Sequence, residues 1–254
     1  MKNYYERELD RQLKAGDITK TQHKEFQKEL GGSKGKINQL IKDQENKLKK
    51  DKYTVTNLFP TPVYSTVFEL TEEEIKTIHG WCAFATANTA QNFTTGQRYI
   101  LMYPELQRFK KFLEKQVNFY AHNVLNIVKE TQFYITQSWA NLNPQGSGHH
   151  LHRHPNSIIS GVFFVTDNSC LFRIKRSLSH YTFPGFEFHR TKYNIENSDS
   201  WGFPSKKNTL LIFPSQSEHS VDTNQDKHPR LTLAFNTFAK GIIGREDQIS
   251  ALKL

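Results

Sequence analysis

The chain has 254 residues, room for one substantial core and an accessory piece, and its 23% charged and 13% aromatic content excludes a disordered polyelectrolyte. It holds no run of 18 apolar residues, and the opening MKNYYERELDRQL lacks an apolar signal core, so no spanning helix, no obvious export and a soluble cytoplasmic protein are expected. The net charge of +9 is uneven: residues 1–52 hold 14 Lys and Arg against 9 Asp and Glu, which marks a basic end rather than a chain-wide nucleic-acid surface.

Residues 1–52 read as a basic helical extension and linker. Leu9, Leu13, Ile18, Phe26 and Leu30 are the apolar points of two short helices around a turn at Ala15-Gly16-Asp17. A Lys-rich stretch follows Gly31-Gly32, and a second domain is expected over 53–254. LFPTPVYSTVFEL, within Tyr53 to Leu70, predicts one or two edge strands, where proline is tolerated. A helix capped by Thr71, with Glu74 completing a capping box, is predicted to run to about Thr86. A second, from Pro104 to Ile127, repeats apolar residues at three- and four-residue steps.

From Phe133 onward the period changes to that of strands: FYITQSWANLN, SIISGVFFV, CLFRI, TLLIFP and RLTLAFNTF. Helices followed by an all-strand half predict an α+β chain on a β-barrel or sandwich. Cys82 and Cys170 sit in unlike contexts, WCAF and SCLF, so no disulfide framework is expected and a reducing compartment fits.

Four histidines fall within GHHLHRHP at 149, 150, 152 and 154, and His219 follows in TLLIFPSQSEHSV. Neutral imidazole is the commonest protein metal ligand, and alternation along an extended segment turns His152 and His154 to one side. His219 can close a three-ligand face, and His149 and His150 are looser candidates. Such a face suits Fe(II), Zn or Cu. Arg230 opens the last long strand, a cation of the kind an enzyme needs if its co-substrate carries a carboxylate opposite its metal-chelating group.

The blocks GHHLHRHPNSIISGVFFV, LLIFPSQSEHSV and RLTLAFNTFAKG, in this order, resemble the 2-oxoglutarate- and Fe(II)-dependent oxygenases, in a branch often encoded by bacteriophages. The likeness extends over roughly residues 55–254. It implies a double-stranded β-helix (jelly-roll, cupin-like) core braced by helices, with the N-terminal helical extension outside it. It also implies Fe(II) as cofactor and 2-oxoglutarate as co-substrate, with succinate, CO2 and a hydroxylated product released. Matched by position, His152 and His154 take the places of the HxD/E pair, His219 is the distal ligand and Arg230 the co-substrate anchor. His154 departs from the usual carboxylate, although the HxHP form looks regular in this branch.

Thr232 and Asn236 continue the face of Arg230, and Asn141 in SWANLN is placed to line the same pocket, so these three are expected to contact the co-substrate or the pocket wall. Ser160-Gly161 is expected only to allow close strand packing. Residues 175–207 form a long aromatic and basic insertion, and Phe183, Phe186, Tyr193 and Trp201 are candidates for a substrate lid. The prime substrate stays open among a protein side chain, a nucleobase and a small metabolite. Two other readings remain. One is a non-catalytic cupin-like metal-binding or structural protein, against which Arg230 argues. The other makes the basic N-terminus a docking arm for a partner. An oligomer is compatible with either.

Overall fold

The computed structural model describes residues 14, 19–21, 23–25, 28, 54–87, 92–177, 188–247 and 249–254. The chain divides into two compact units, Met1–Leu58 and Phe59–Leu254. In the first, Lys20, Thr21, His23, Lys24 and Glu25 are helical. The turn expected at Ala15-Gly16-Asp17 lies outside the described residues.

The second unit runs β1 (Tyr64–Val67), α1 (Glu72–Cys82), β2 (Ala85–Ala87), β3 (Phe93–Thr95), two 3-10 turns, α2 (Gln107–Phe119) and a π-helical turn at Tyr120–Val124. Strands follow: β4 (Thr131–Asn143), β5 (His149–His152), β6 (Ile159–Phe164), β7 (Asn168–Lys175), β8 (Ser200–Ser205), β9 (Thr209–Pro214), β10 (His219–Val221), β11 (Arg230–Ile243) and β12 (Leu252–Lys253). A large antiparallel sheet has the order β1-β9-β6-β11-β4-β3-β2, with β12 beside β11, and a smaller one has the order β5-β10-β7-β8. This is the double-stranded β-helix arrangement of two facing antiparallel sheets.

The side chains of β6 and β9 divide between two cores by strict alternation. Phe163, Val165 just past β6, Leu210 and Ile212 join Ile78, Leu106, Phe109, Leu113 and Val117 beneath the helices. Val162, Phe164, Leu211 and Phe213 pack instead with Phe172 and Ile174 of the small sheet. Every residue of β6 is therefore buried, as expected of a strand covered on both faces. On β11 the same period sends Leu231, Leu233 and Phe235 to the helical core and leaves Arg230, Thr232 and Ala234 between the sheets.

The capping box forms as expected: Glu74 N–H donates to Thr71 Oγ1 and Thr71 N–H to Glu74 Oε2. The helix ends earlier than predicted, at Cys82 rather than Thr86. Ala83 and Phe84 close it with a turn, and Ala85–Ala87 becomes β2 because Thr86 pairs with Thr94 of β3, an alignment a local pattern does not contain.

The predicted lid also changes. Phe183 and Phe186 lie outside the described residues. Trp201 is a strand residue of β8, opposite Ile174 of β7 and 43% exposed, at the edge of the small sheet farthest from β5. Tyr193 is 66% exposed in the segment before it. Neither lines the cavity between the sheets. Near the end of the expected insertion Ser200–Ser205 is thus a strand, and Trp201 and Phe203 belong to the small sheet.

Candidate metal and co-substrate site

A narrow cavity between the sheets is lined by Trp139 and Asn141 from β4, His149 and His152 from β5, Phe213 from β9, His219 and Val221 from β10, and Arg230 and Thr232 from β11, with His154 just past β5. Strand pairing explains the grouping. His152 and His219 are Cα partners across β5 and β10, and Asn143 and Asn141 face Arg230 and Thr232 across β4 and β11. In these pairs the side chains emerge on the same face, so each polar residue has its neighbour fixed by register.

The imidazoles of His152, His154 and His219 form one cluster, with nitrogen atoms all within 4.8 Å of one another. His152 and His219 ring centroids lie 4.2 Å apart, and those of His154 and His219 4.9 Å apart. Each ring is oriented from behind through Nδ1. His152 Nδ1–H donates to His150 O at 2.8 Å and His219 Nδ1–H to Ser217 O at 2.9 Å. His154 Nδ1–H donates to Asn236 Oδ1 at 2.6 Å, with Ser160 Oγ at 2.9 Å. With the proton on Nδ1, the lone pair of each neutral ring lies on Nε2, the arrangement of a metal-ligating histidine.

His152 Nε2 and His154 Nε2 stand 3.3 Å apart. Two lone pairs at that distance repel unless a cation lies between them, so the donor set fits a divalent metal. Burial reinforces this by disfavouring the competing proton: desolvation pulls His154 down to about 4 and His219 to about 3, and also lowers His152. The rings of Phe172 and Phe213 pack at 5.2 and 4.9 Å from that of His219 and keep it dry.

Arg230 lines the same cavity. It is 2% exposed, and desolvation lowers it to about 10, with Cys170 opposing the shift. Its Nε–H donates to Ser205 Oγ at 2.9 Å and its Nη1 reaches Asn143 Oδ1 at 3.4 Å. Its guanidinium carbon lies 5.2 Å from the centre of the Phe164 ring. Nη2 is buried without a partner among the described residues. A buried cation held only by neutral groups, with one fork end free, is suited to a carboxylate.

Thr232 and Asn141 line the cavity, as expected from alternation, and Asn141 Oδ1 accepts from Thr94 Oγ1 at 2.8 Å. Asn236 differs from its expectation. It keeps the face of Arg230 and Thr232, as alternation predicts, but at its point along β11 it lies opposite Ser160 of β6, so it sits behind His154 and accepts its Nδ1 proton instead of facing the co-substrate position. Ser160 is more than a packing residue: its hydroxyl bonds Ser215 at 2.7 Å, and Ser215 bonds Ser157 at 2.7 Å.

Residues that sequence reasoning missed are therefore Ser160, Ser157 and Ser215 behind His154, Ser205 and Asn143 behind Arg230, and Asn92 behind His149. One signal was available. Ser160 is the single polar residue on the inward face of an apolar strand.

Residues 137–236 match the family described as "Putative 2OG-Fe(II) oxygenase". Among curated proteins, none matches the sequence. The fold resembles the non-heme alpha-ketoglutarate-dependent carbocyclase SnoK from nogalamycin biosynthesis, at 12% identity and a TM-score of 0.51, over 74% of this chain and 84% of that one. It also resembles the epimerase SnoN of the same biosynthesis, at 11% identity and a TM-score of 0.50, over 75% of this chain and 83% of that one. At these identities the likeness concerns the fold.

Proposed function

We propose that this chain, whose residues 137–236 match the 2OG-Fe(II) oxygenase family model, is an Fe(II)- and 2-oxoglutarate-dependent dioxygenase that hydroxylates its substrate. His152, His154 and His219 would hold the iron, and Arg230 the far carboxylate of 2-oxoglutarate. The observation that carries the reading is the buried Nη2 of Arg230, unpartnered among the described residues, on a side chain that lines the same cavity as the three imidazoles. A metal-binding cupin without a co-substrate has no use for such a cation.

Bound iron supplies the redox chemistry that couples O2 to decarboxylation of 2-oxoglutarate, so that succinate, CO2 and a hydroxylated substrate result. The chain's own residues prepare for it. Asn236 and the carbonyls of His150 and Ser217 fix the three rings with Nε2 forward. Ser205 and Asn143 hold the guanidinium on the cavity wall. Phe172, Phe213 and Val162 exclude water around the site, which strengthens its electrostatic interactions. With His154 in place of a carboxylate the metal face carries one more positive charge, which favours a dianionic co-substrate and weakens the bare metal complex.

The two free cysteines, Cys82 and Cys170, are consistent with a reducing cytoplasm as the site of action. The basic residues 1–52 would then serve as a docking arm for an acidic partner.

Anaerobic titration of the purified protein with Fe(II) and 2-oxoglutarate tests the reading. A visible metal-to-ligand charge-transfer band should appear, and should be lost in both His219→Ala and Arg230→Ala. A wild-type protein that shows no band, or a band that survives both substitutions, overturns it.

A further inference from the structure

Four histidines border the cavity, and their hydrogen bonds divide them three to one. His152, His154 and His219 each give their Nδ1 proton to an oxygen acceptor and so present a lone pair on Nε2. His149 is reversed. Its Nδ1 meets the amide nitrogen of Asn92 at 3.1 Å. An amide nitrogen can only donate, so Nδ1 accepts and the proton of the neutral ring sits on Nε2. A nitrogen that carries a proton cannot bind a cation, but it can donate to an anion.

The placement agrees with this role. Asn92 is fully buried at the entry to β3, whose next residues, Phe93 and Thr94, pair with Leu142 and Asn141 of β4. The amide is thereby anchored to the strand that carries Asn141 and Asn143. The His149 ring stacks on His152 at 4.4 Å with an interplanar angle of 20°, and it lines the cavity together with Arg230, Asn141 and Thr232. His149, His150 and His152 also form a second group with nitrogen atoms within 4.8 Å of one another. As a metal site that group is ruled out by the same tautomer, because the one free nitrogen of His149 is protonated.

We propose that His149 is a co-substrate-binding residue and not a metal ligand: its Nε2–H donates to a carboxylate oxygen of 2-oxoglutarate alongside Arg230, and Asn92 sets the tautomer that makes this possible. The inference rests on the oxygenase reading above and extends it by two residues. The site then holds its co-substrate with one charged fork and one neutral donor, and the neutral donor adds no charge next to the metal.

The test uses the Co(II)-loaded full chain without oxygen. Metal affinity is read by competition with a chromophoric chelator, and 2-oxoglutarate affinity by the change in the Co(II) visible spectrum. His149→Ala should leave Co(II) affinity within about twofold and weaken 2-oxoglutarate about tenfold, the loss expected for one hydrogen bond to a carboxylate. His149→Gln retains an N–H donor and should recover part of that loss. Asn92→Ala removes the donor that holds the proton of His149 on Nε2, so it should weaken 2-oxoglutarate in the same direction as His149→Ala while leaving Co(II) affinity within about twofold.

A tenfold drop in Co(II) affinity in His149→Ala would make His149 a ligand and overturn the proposal. Unchanged 2-oxoglutarate affinity in His149→Ala would overturn the donor role. A wild-type protein whose Co(II) spectrum ignores 2-oxoglutarate would overturn the oxygenase reading and this inference with it.

Discussion

His152 and His219 are Cα partners across β5 and β10, and their ring centroids lie 4.2 Å apart. Two residues 67 positions apart in sequence are thus set by one backbone pairing, with a bulge just beyond it on the Val221 side. The metal face therefore depends on sheet register as much as on the ligands. His152→Ala and His219→Ala should each lower Co(II) or Zn(II) affinity by more than the roughly 10- to 100-fold typical of losing a supporting group. Chelator competition measures this. Near-wild-type affinity in either variant would remove that residue from the ligand set.

Asn236 offers a subtler probe, since it touches His154 and not the cavity. Asn236→Ala removes the acceptor of the His154 Nδ1 proton and leaves Ser160 Oγ as the remaining partner. Metal affinity should fall by about 10- to 100-fold, while the change in 2-oxoglutarate affinity of the loaded protein stays small. Were Asn236 a co-substrate contact, as alternation along β11 alone suggests, the two effects would be exchanged.

The difference at Asn236 shows what the sequence carries and where it stops. Period-two alternation is local, and it correctly sets Arg230, Thr232 and Ala234 on one face of β11 and Leu231, Leu233 and Phe235 on the other. It sets Asn236 on the face of Arg230 as well, but the pairing with Ser160 of β6, 76 residues earlier, that puts it behind His154 is encoded by no local pattern. Long-range partners were lost for the same reason. Ser205 reads as the end of an aromatic insertion until β8 pairs with β7 and carries it to Arg230, and Asn92 reads as a loop residue until β3 pairs with β4. The histidine cluster was legible because four of its members fall within six residues, and its division into tautomers was not, because the amides that set it at His149 and His154, Asn92 and Asn236, come from distant segments.

Gly161 is the position at which β6 is most sensitive to added volume. A Cβ there would run into the ring of Phe235, its cross-strand partner on β11, which is itself fully buried in the core beneath the helices. The glycine lets the aromatic ring lie across the strand. Gly161→Ala should destabilise the fold by about 1–3 kcal/mol through overpacking, read as a lower thermal midpoint. The larger Gly161→Val should cost more, and Phe235→Leu in the same chain should restore part of the loss by making room. Additive effects in the double variant would show that the two side chains do not compete for this space.

Arg230 is a charge that the folded protein buries without a carboxylate beside it. Its supporting contacts are a hydroxyl, an amide oxygen and an aromatic face, and Nη2 has none among the described residues. Desolvation of that charge works against folding, since only neutral groups compensate it. Arg230→Met keeps most of the volume and removes the charge, so the ligand-free variant should be as stable as the wild type or more stable. Its response to ligand should change in the opposite direction. Metal-loaded wild type should gain about 2.7 kcal/mol at a 2-oxoglutarate concentration 100 times its Kd, whereas Arg230→Met at the same concentration should gain little, because a charge-assisted hydrogen bond of about 1.5–3 kcal/mol is gone. Denaturant unfolding with and without 2-oxoglutarate measures both terms. A ligand-free Arg230→Met that is markedly less stable, with its 2-oxoglutarate response intact, would make Arg230 a structural cation and not an anchor.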